Sequence, residues 1–127
     1  MPAEPLVKRA VAFIDGQNLY HAARESFGYT YPNFDVRIAI DVIRMAHHKD
    51  YDVALIFSQD QDLLEVAKEI RTISQEQDRW IKVACAFPLS PTTLNRRGID
   101  RTDWIQIDRE IYDACLDKRD YRPKNSR

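Results

Sequence analysis

Short apolar runs alternate with segments of helical period along most of this chain, and that alternation is its strongest constraint. The runs are AVAFID (10–15), YDVALIF (51–57), WIKVACAF (80–87) and DWIQI (103–107). Apolar runs of this length, bounded by turn signals, suit strands buried in a sheet. After the first run, Leu19, Ala22, Ala23 and Phe27 share one helical face and Gly28 supplies a stop. Asp35 stands at the N-cap position of a second helix, in which Val36, Ala39, Ile40, Ile43 and Ala46 recur at helical spacing. A third helix is expected over 62–77, with Leu63, Val66, Ala67, Ile70 and Ile73 inward, and a short last one over 108–116. Strands that alternate with helices predict an α/β fold of three layers, a mostly parallel central sheet with helices on both faces. A chain of 127 residues suits a single domain, here 1–127, with its core at about 10–117 and a basic tail at 118–127.

Several function classes drop out on composition. No apolar run approaches the length of a membrane span, so no membrane partner is expected. The start, MPAEPLVKRAVAF, lacks the apolar stretch and cleavage site of a signal peptide, and the expected location is cytoplasmic. Cys85 and Cys115 form no CxxC pair, so we expect reduced thiols and no zinc site. The net charge of −1 hides a segregation: KRDYRPKNSR at the end holds five basic residues and one acidic one, and RRGIDR (96–101) is a second basic cluster. Such segregation suits a site that binds a metal and a polyanion together.

In a parallel sheet, ligands bind beyond the carboxyl ends of the strands. The residues there are acidic. The first strand ends at Asp15, and the second leads into Ser-Gln-Asp-Gln-Asp, residues 58–62, with Asp60 and Asp62. Asp35, heading its helix, can reach the same edge. Converging carboxylates repel one another, and Mg²⁺ or Mn²⁺ relieves that conflict because hard cations take oxygen ligands and keep several waters. A metal so held suits phosphodiester hydrolysis. Asp60 also fits a plainer role as a helix cap, with Asp62 in the first turn. No Ser-His-Asp or Cys-His arrangement and no glycine-rich phosphate loop competes. A phosphatase that uses Asp15 as nucleophile is disfavoured, since no second carboxylate stands two residues on.

FIDGQNLY (13–20), DVRIAIDVIRMA (35–46) and FSQDQDL (57–63), in that order, resemble the NYN-domain family, a branch of the PIN-like metal-dependent ribonucleases. The resemblance covers roughly residues 10 to 117. It implies a PIN-like domain that cleaves RNA, with Asp15, Asn18, Asp35, Asp60 and Asp62 catalytic. Of these Asp15, Asp35, Asp60 and Asp62 would hold the metal. Ser58 would orient ligands, and TDWIQID resembles the last strand of the family, entered through Asp103 as a supporting acid. Arg96, Arg97 and Arg101 are the candidate RNA contacts, with the tail. A catalytically impaired RNA-binding module is the alternative. The short FGYTYPNF joins elements that NYN-like proteins separate by a longer segment, which suggests an exposed sheet edge and a homodimer.

The remaining polar residues invite structural readings. Asp41 faces away from Asp35 on its helix, and His47 and His48 suit the negative end of the helix dipole. Trp80 and Trp104 read as packing residues.

Overall fold

The computed structural model describes residues 2–15 and 34–115, with side chains in the second stretch from Val36 onward. The apolar runs become four strands: β1 (Ala10–Ile14), β2 (Val53–Phe57), β3 (Lys82–Pro88) and β4 (Asp103–Ile107). All are parallel, and they lie in the order β1-β2-β3-β4. Helix α1 (Phe34–His47) precedes β2, α2 (Leu64–Gln77) precedes β3, and the short α3 (Arg109–Ala114) follows β4. Among the described residues, no helix is long and apolar enough to cross a membrane.

Register decides which side chains meet. Phe13, Ile56, Cys85 and Trp104 stand in one row across the sheet. Phe13, Ile56 and Cys85 of that row, with Ala54 and Phe87, pack against Ile38, Val42 and Ala46 of α1 and Val66, Ile70 and Ile73 of α2. Both long helices therefore cover the same face of the sheet. On the other face Ala84 and Ala86 are buried, whereas Ile14 is 72% and Ile105 44% exposed. The helix expected after β1 lies outside the described residues.

The buried stripe of α1 differs from the expected one. Ile38, Val42 and Ala46 point into the core, while Val36 and Ile40 are about half exposed. The helix carries two neighbouring apolar stripes, and periodicity alone cannot rank them. In α2 the expected residues are the buried ones, Val66, Ala67, Ile70 and Ile73. The helix closes on Asp78, whose left-handed backbone (φ 48°) gives the chain its turn toward β3.

At the amino end of the sheet, an ion-pair knot ties the starts of three strands together. Asp52 accepts from the Arg9 backbone N–H at 2.8 Å and from the Arg9 guanidinium at 3.2 and 3.3 Å. Arg79 approaches the same carboxylate at 3.5 Å and donates to the carbonyls of Tyr51 (2.7 Å) and Ala46 (3.0 Å). Hydrogen bonds from Arg9 hold the Asp52 carboxyl below the ordinary carboxylate range. Tyr51 is fully buried and donates to the Val42 carbonyl at 2.6 Å, which anchors α1 to this end. Burial pushes its phenol well above the ordinary tyrosine value. Trp80 is half-buried ahead of β3, with the Lys8 ammonium 5.7 Å from its ring centre.

Between β3 and β4 the chain runs back along the helical face of the sheet. Ile99 is fully buried there, its N–H directed at the Cys85 sulfur and its carbonyl accepting from the Trp104 indole at 2.8 Å and the Thr102 hydroxyl at 2.7 Å. Gly98 lies against that indole. A Cβ at position 98 would sit 2.6 Å from the ring, so no other residue fits without moving Trp104.

Candidate functional site

The carboxyl ends of β1, β2 and β3 open into a cleft of about 520 Å³. Asp15, Ser58 and Asp60 line its polar side; Phe57, Phe87 and Ile107 form apolar walls. Asp15 follows β1 directly, and its backbone N–H extends the ladder to the Phe57 carbonyl at 3.3 Å. Ser58 is buried one residue beyond β2. Its hydroxyl donates to Asp15 at 2.9 Å and accepts from the Asp60 N–H at 3.1 Å, so one side chain links the two strand ends.

Asp60 does serve as a cap. Its extended backbone (φ −70°, ψ 115°) precedes a single 3₁₀ turn, Gln61–Leu63, and its carboxylate accepts from the Asp62 N–H at 2.9 Å. Capping and cleft lining are compatible, because a carboxylate has about four acceptor positions and the cap occupies one.

The alternate residues of this stretch act on the opposite wall. The Gln59 amide donates to the carbonyls of Asn95 (2.9 Å) and Arg97 (3.1 Å). Gln61 donates to the Gly98 carbonyl at 2.6 Å and accepts from the Asp100 N–H at 3.1 Å. Ser-Gln-Asp-Gln-Asp is thus a strand-end turn whose glutamines fasten the β3–β4 loop while Ser58 and Asp60 face the cleft. Sequence reasoning missed this role; the available signal was the strict alternation of glutamine with acid.

Other expected site residues lie elsewhere. Asp62 is exposed and is not among the residues lining the cleft. Asp103 opens β4 at the amino end of the sheet, where it pairs with Lys82 at 2.8 Å. The expectation that it supports the acidic site is corrected: in a parallel sheet the first residue of a strand stands opposite the carboxyl-end cleft. The bond with Asp103 also raises the Lys82 ammonium above its ordinary value. Arg96 donates to the Ser90 carbonyl at 2.9 Å, and Arg97 is paired with Asp100, which raises its guanidinium. Arg101 opens onto a separate groove beside α2. Asn18, the Asp35 side chain and the tail at 118–127 lie outside the described residues.

Mg²⁺ commonly uses one or two carboxylates and fills its remaining positions with water and phosphate oxygens. Asp15 and Asp60 line one cleft and fit that donor set; Ser58 bonds the carboxylate of the first and the backbone N–H of the second. Among the described residues, no three His, Cys, Asp or Glu side chains gather into a group able to hold a metal ion. A metal here would therefore depend on water and substrate oxygens, or on carboxylates outside the described residues.

No protein-family model and no curated protein matches the chain. Its fold is similar to that of a protein of unknown function from Vibrio parahaemolyticus, known from a crystal structure. That similarity has a TM-score of 0.52 at 17% sequence identity and covers 85% of this chain and 98% of that one. At such identity the likeness concerns the fold alone.

Proposed function

We propose that the protein is a metal-dependent ribonuclease that hydrolyses RNA phosphodiester bonds in the carboxyl-end cleft. One observation supports the reading above the others. Asp15 and Asp60 are carried by different strand ends yet share a single cleft, and the Ser58 hydroxyl sits between them. A bound Mg²⁺ or Mn²⁺ would supply a more acidic water and neutralise charge on the phosphate. Asp15 and Asp60 would hold it, with Asp35 and Asn18 as further candidates from the family resemblance. Ser58 orients Asp15 by donating to one carboxylate oxygen, which directs the carboxylate's remaining lone pairs. The apolar walls restrict water on one side of the cleft, which strengthens electrostatic interactions within it.

The test is cleavage of an end-labelled single-stranded RNA with Mg²⁺, with Mn²⁺, or with EDTA, beside Asp15→Asn. Metal-dependent cutting that disappears in the variant supports the reading. Tight RNA binding without cutting in either metal would instead favour the impaired, RNA-binding alternative.

A further inference from the structure

Beside α2 a groove of about 300 Å³ is lined by three cations and no acid. Lys68, Arg71 and Gln75 project from one face of the helix, at spacings of three and four residues that place them side by side. Arg101 reaches the same groove from the loop, over a floor that includes Ile81 and Val83. Lys68 has a long, exposed ion pair with Glu65 at 3.4 Å. The guanidinium groups of Arg71 and Arg101 have no carboxylate partner among the described residues.

The chain holds Arg101 there against its own preference. Its φ is 67°, a left-handed conformation that L side chains seldom adopt. The buried Ile99, with the bonds it receives from Thr102 and Trp104, fixes the turn just ahead of it. Convergent like charges also repel, and an anion between them removes the repulsion. Guanidinium forks match phosphate oxygens well.

We infer that this groove binds a backbone phosphate of the same RNA chain whose scissile phosphate enters the acidic cleft. Continuity carries the assignment. Asn95 lines the cleft and Arg101 the groove. The six residue steps from Asn95 to Arg101 span at most about 20 Å, so a few nucleotides bridge the two sites. The choice of RNA as the polyanion rests on the reading of the cleft given above; the cationic geometry does not.

The experiment measures binding of a fluorescein-labelled single-stranded RNA by anisotropy across a salt series, using the whole chain. Three proteins are compared: wild type, Lys68→Gln with Arg71→Gln, and Arg101→Gly. The slope of log affinity against log salt should fall by about 0.7 for each lost phosphate contact. Glycine is at ease at positive φ, so Arg101→Gly should lose affinity while its Tm holds or rises, which separates binding from misfolding. Asp15→Asn serves as the second axis: it should abolish cutting and leave the salt slope unchanged. Slopes that drop in the groove variants without any metal-dependent cutting by wild type would keep the groove and overturn the nuclease reading. An unchanged slope in both groove variants, or no RNA binding by wild type, overturns the groove.

Discussion

The two ends of the sheet both concentrate acids, and they treat them differently. At the amino end Asp52 is met by two guanidinium groups and Asp103 by an ammonium. At the carboxyl end Asp60 accepts from a backbone N–H, and Asp15 accepts from the Ser58 hydroxyl. A carboxylate bonded to cations is a fastening: its charge is spent on the fold. The Asp60 carboxylate, which caps a neutral backbone N–H, keeps most of its charge available to a cation that arrives from outside. Local chemistry, rather than the number of acids, separates the Asp52 fastening from the Asp60 cap.

The largest expected effect breaks the amino-end fastening. Asp52→Ala leaves Arg79 in a half-buried site without its carboxylate and should cost about 3 kcal/mol in urea unfolding. The pH dependence sharpens the same point. Because the Asp52 carboxyl is held below its unfolded value of about 3.9, its contribution is complete above that pH and is lost as pH falls toward the depressed folded value. The stability gap between wild type and Asp52→Asn should therefore stay constant from neutral pH down to about 5 and shrink below about 4.

The next effect tests the link between the cleft and its opposite wall. Gln61→Ala removes the partners of the Gly98 carbonyl and the Asp100 N–H, and should cost about 1–2 kcal/mol, read as a lower urea midpoint. Gln59→Ala, at an exposed position, should cost less.

Asp60→Asn should change stability by no more than about 0.5 kcal/mol, because an amide oxygen still caps the Asp62 N–H. The same change should abolish any rise in Tm produced by Mn²⁺, since a ligand that binds only the folded state stabilises it by mass action. A loss of several kcal/mol without metal would mean that Asp60 is a fastening after all, and the contrast between the two ends would fail. Smallest is Asp103→Asn: an exposed ion pair is worth about 0.3 kcal/mol, and RNA cleavage should be untouched. Lost cleavage would return Asp103 to the site.

Strands and helices were legible because their signals are local. DWIQI is a strand over the very residues read as one, and the α2 stripe follows from its period. Asp15 and Asp60 were legible because topology assigns a place to residues after a parallel strand. What escaped depends on tertiary distance. Arg9, Asp52 and Arg79 stand far apart in the chain and meet only because three strands start side by side. The glutamines of Ser-Gln-Asp-Gln-Asp bond a loop more than thirty positions away. Asp103 was misplaced for a related reason: its position before an apolar run was clear, but a residue before a strand and one after it occupy opposite ends of the sheet.

The sequential strand order also sets a schedule for folding. Ala10 must find Val53, Val53 must find Lys82, and Ala84 must find Asp103, so the chain closed by each pairing shortens toward the C-terminus. Longer closures lose more entropy before their contacts repay it, and they form more slowly. The β2–β3–β4 portion is thus favoured to assemble first, with β1 the last strand to dock. Since β1 delivers Asp15, the half-built sheet holds Ser58 and Asp60 before it has the acid they face. The cleft is completed by the longest closure among the described strands.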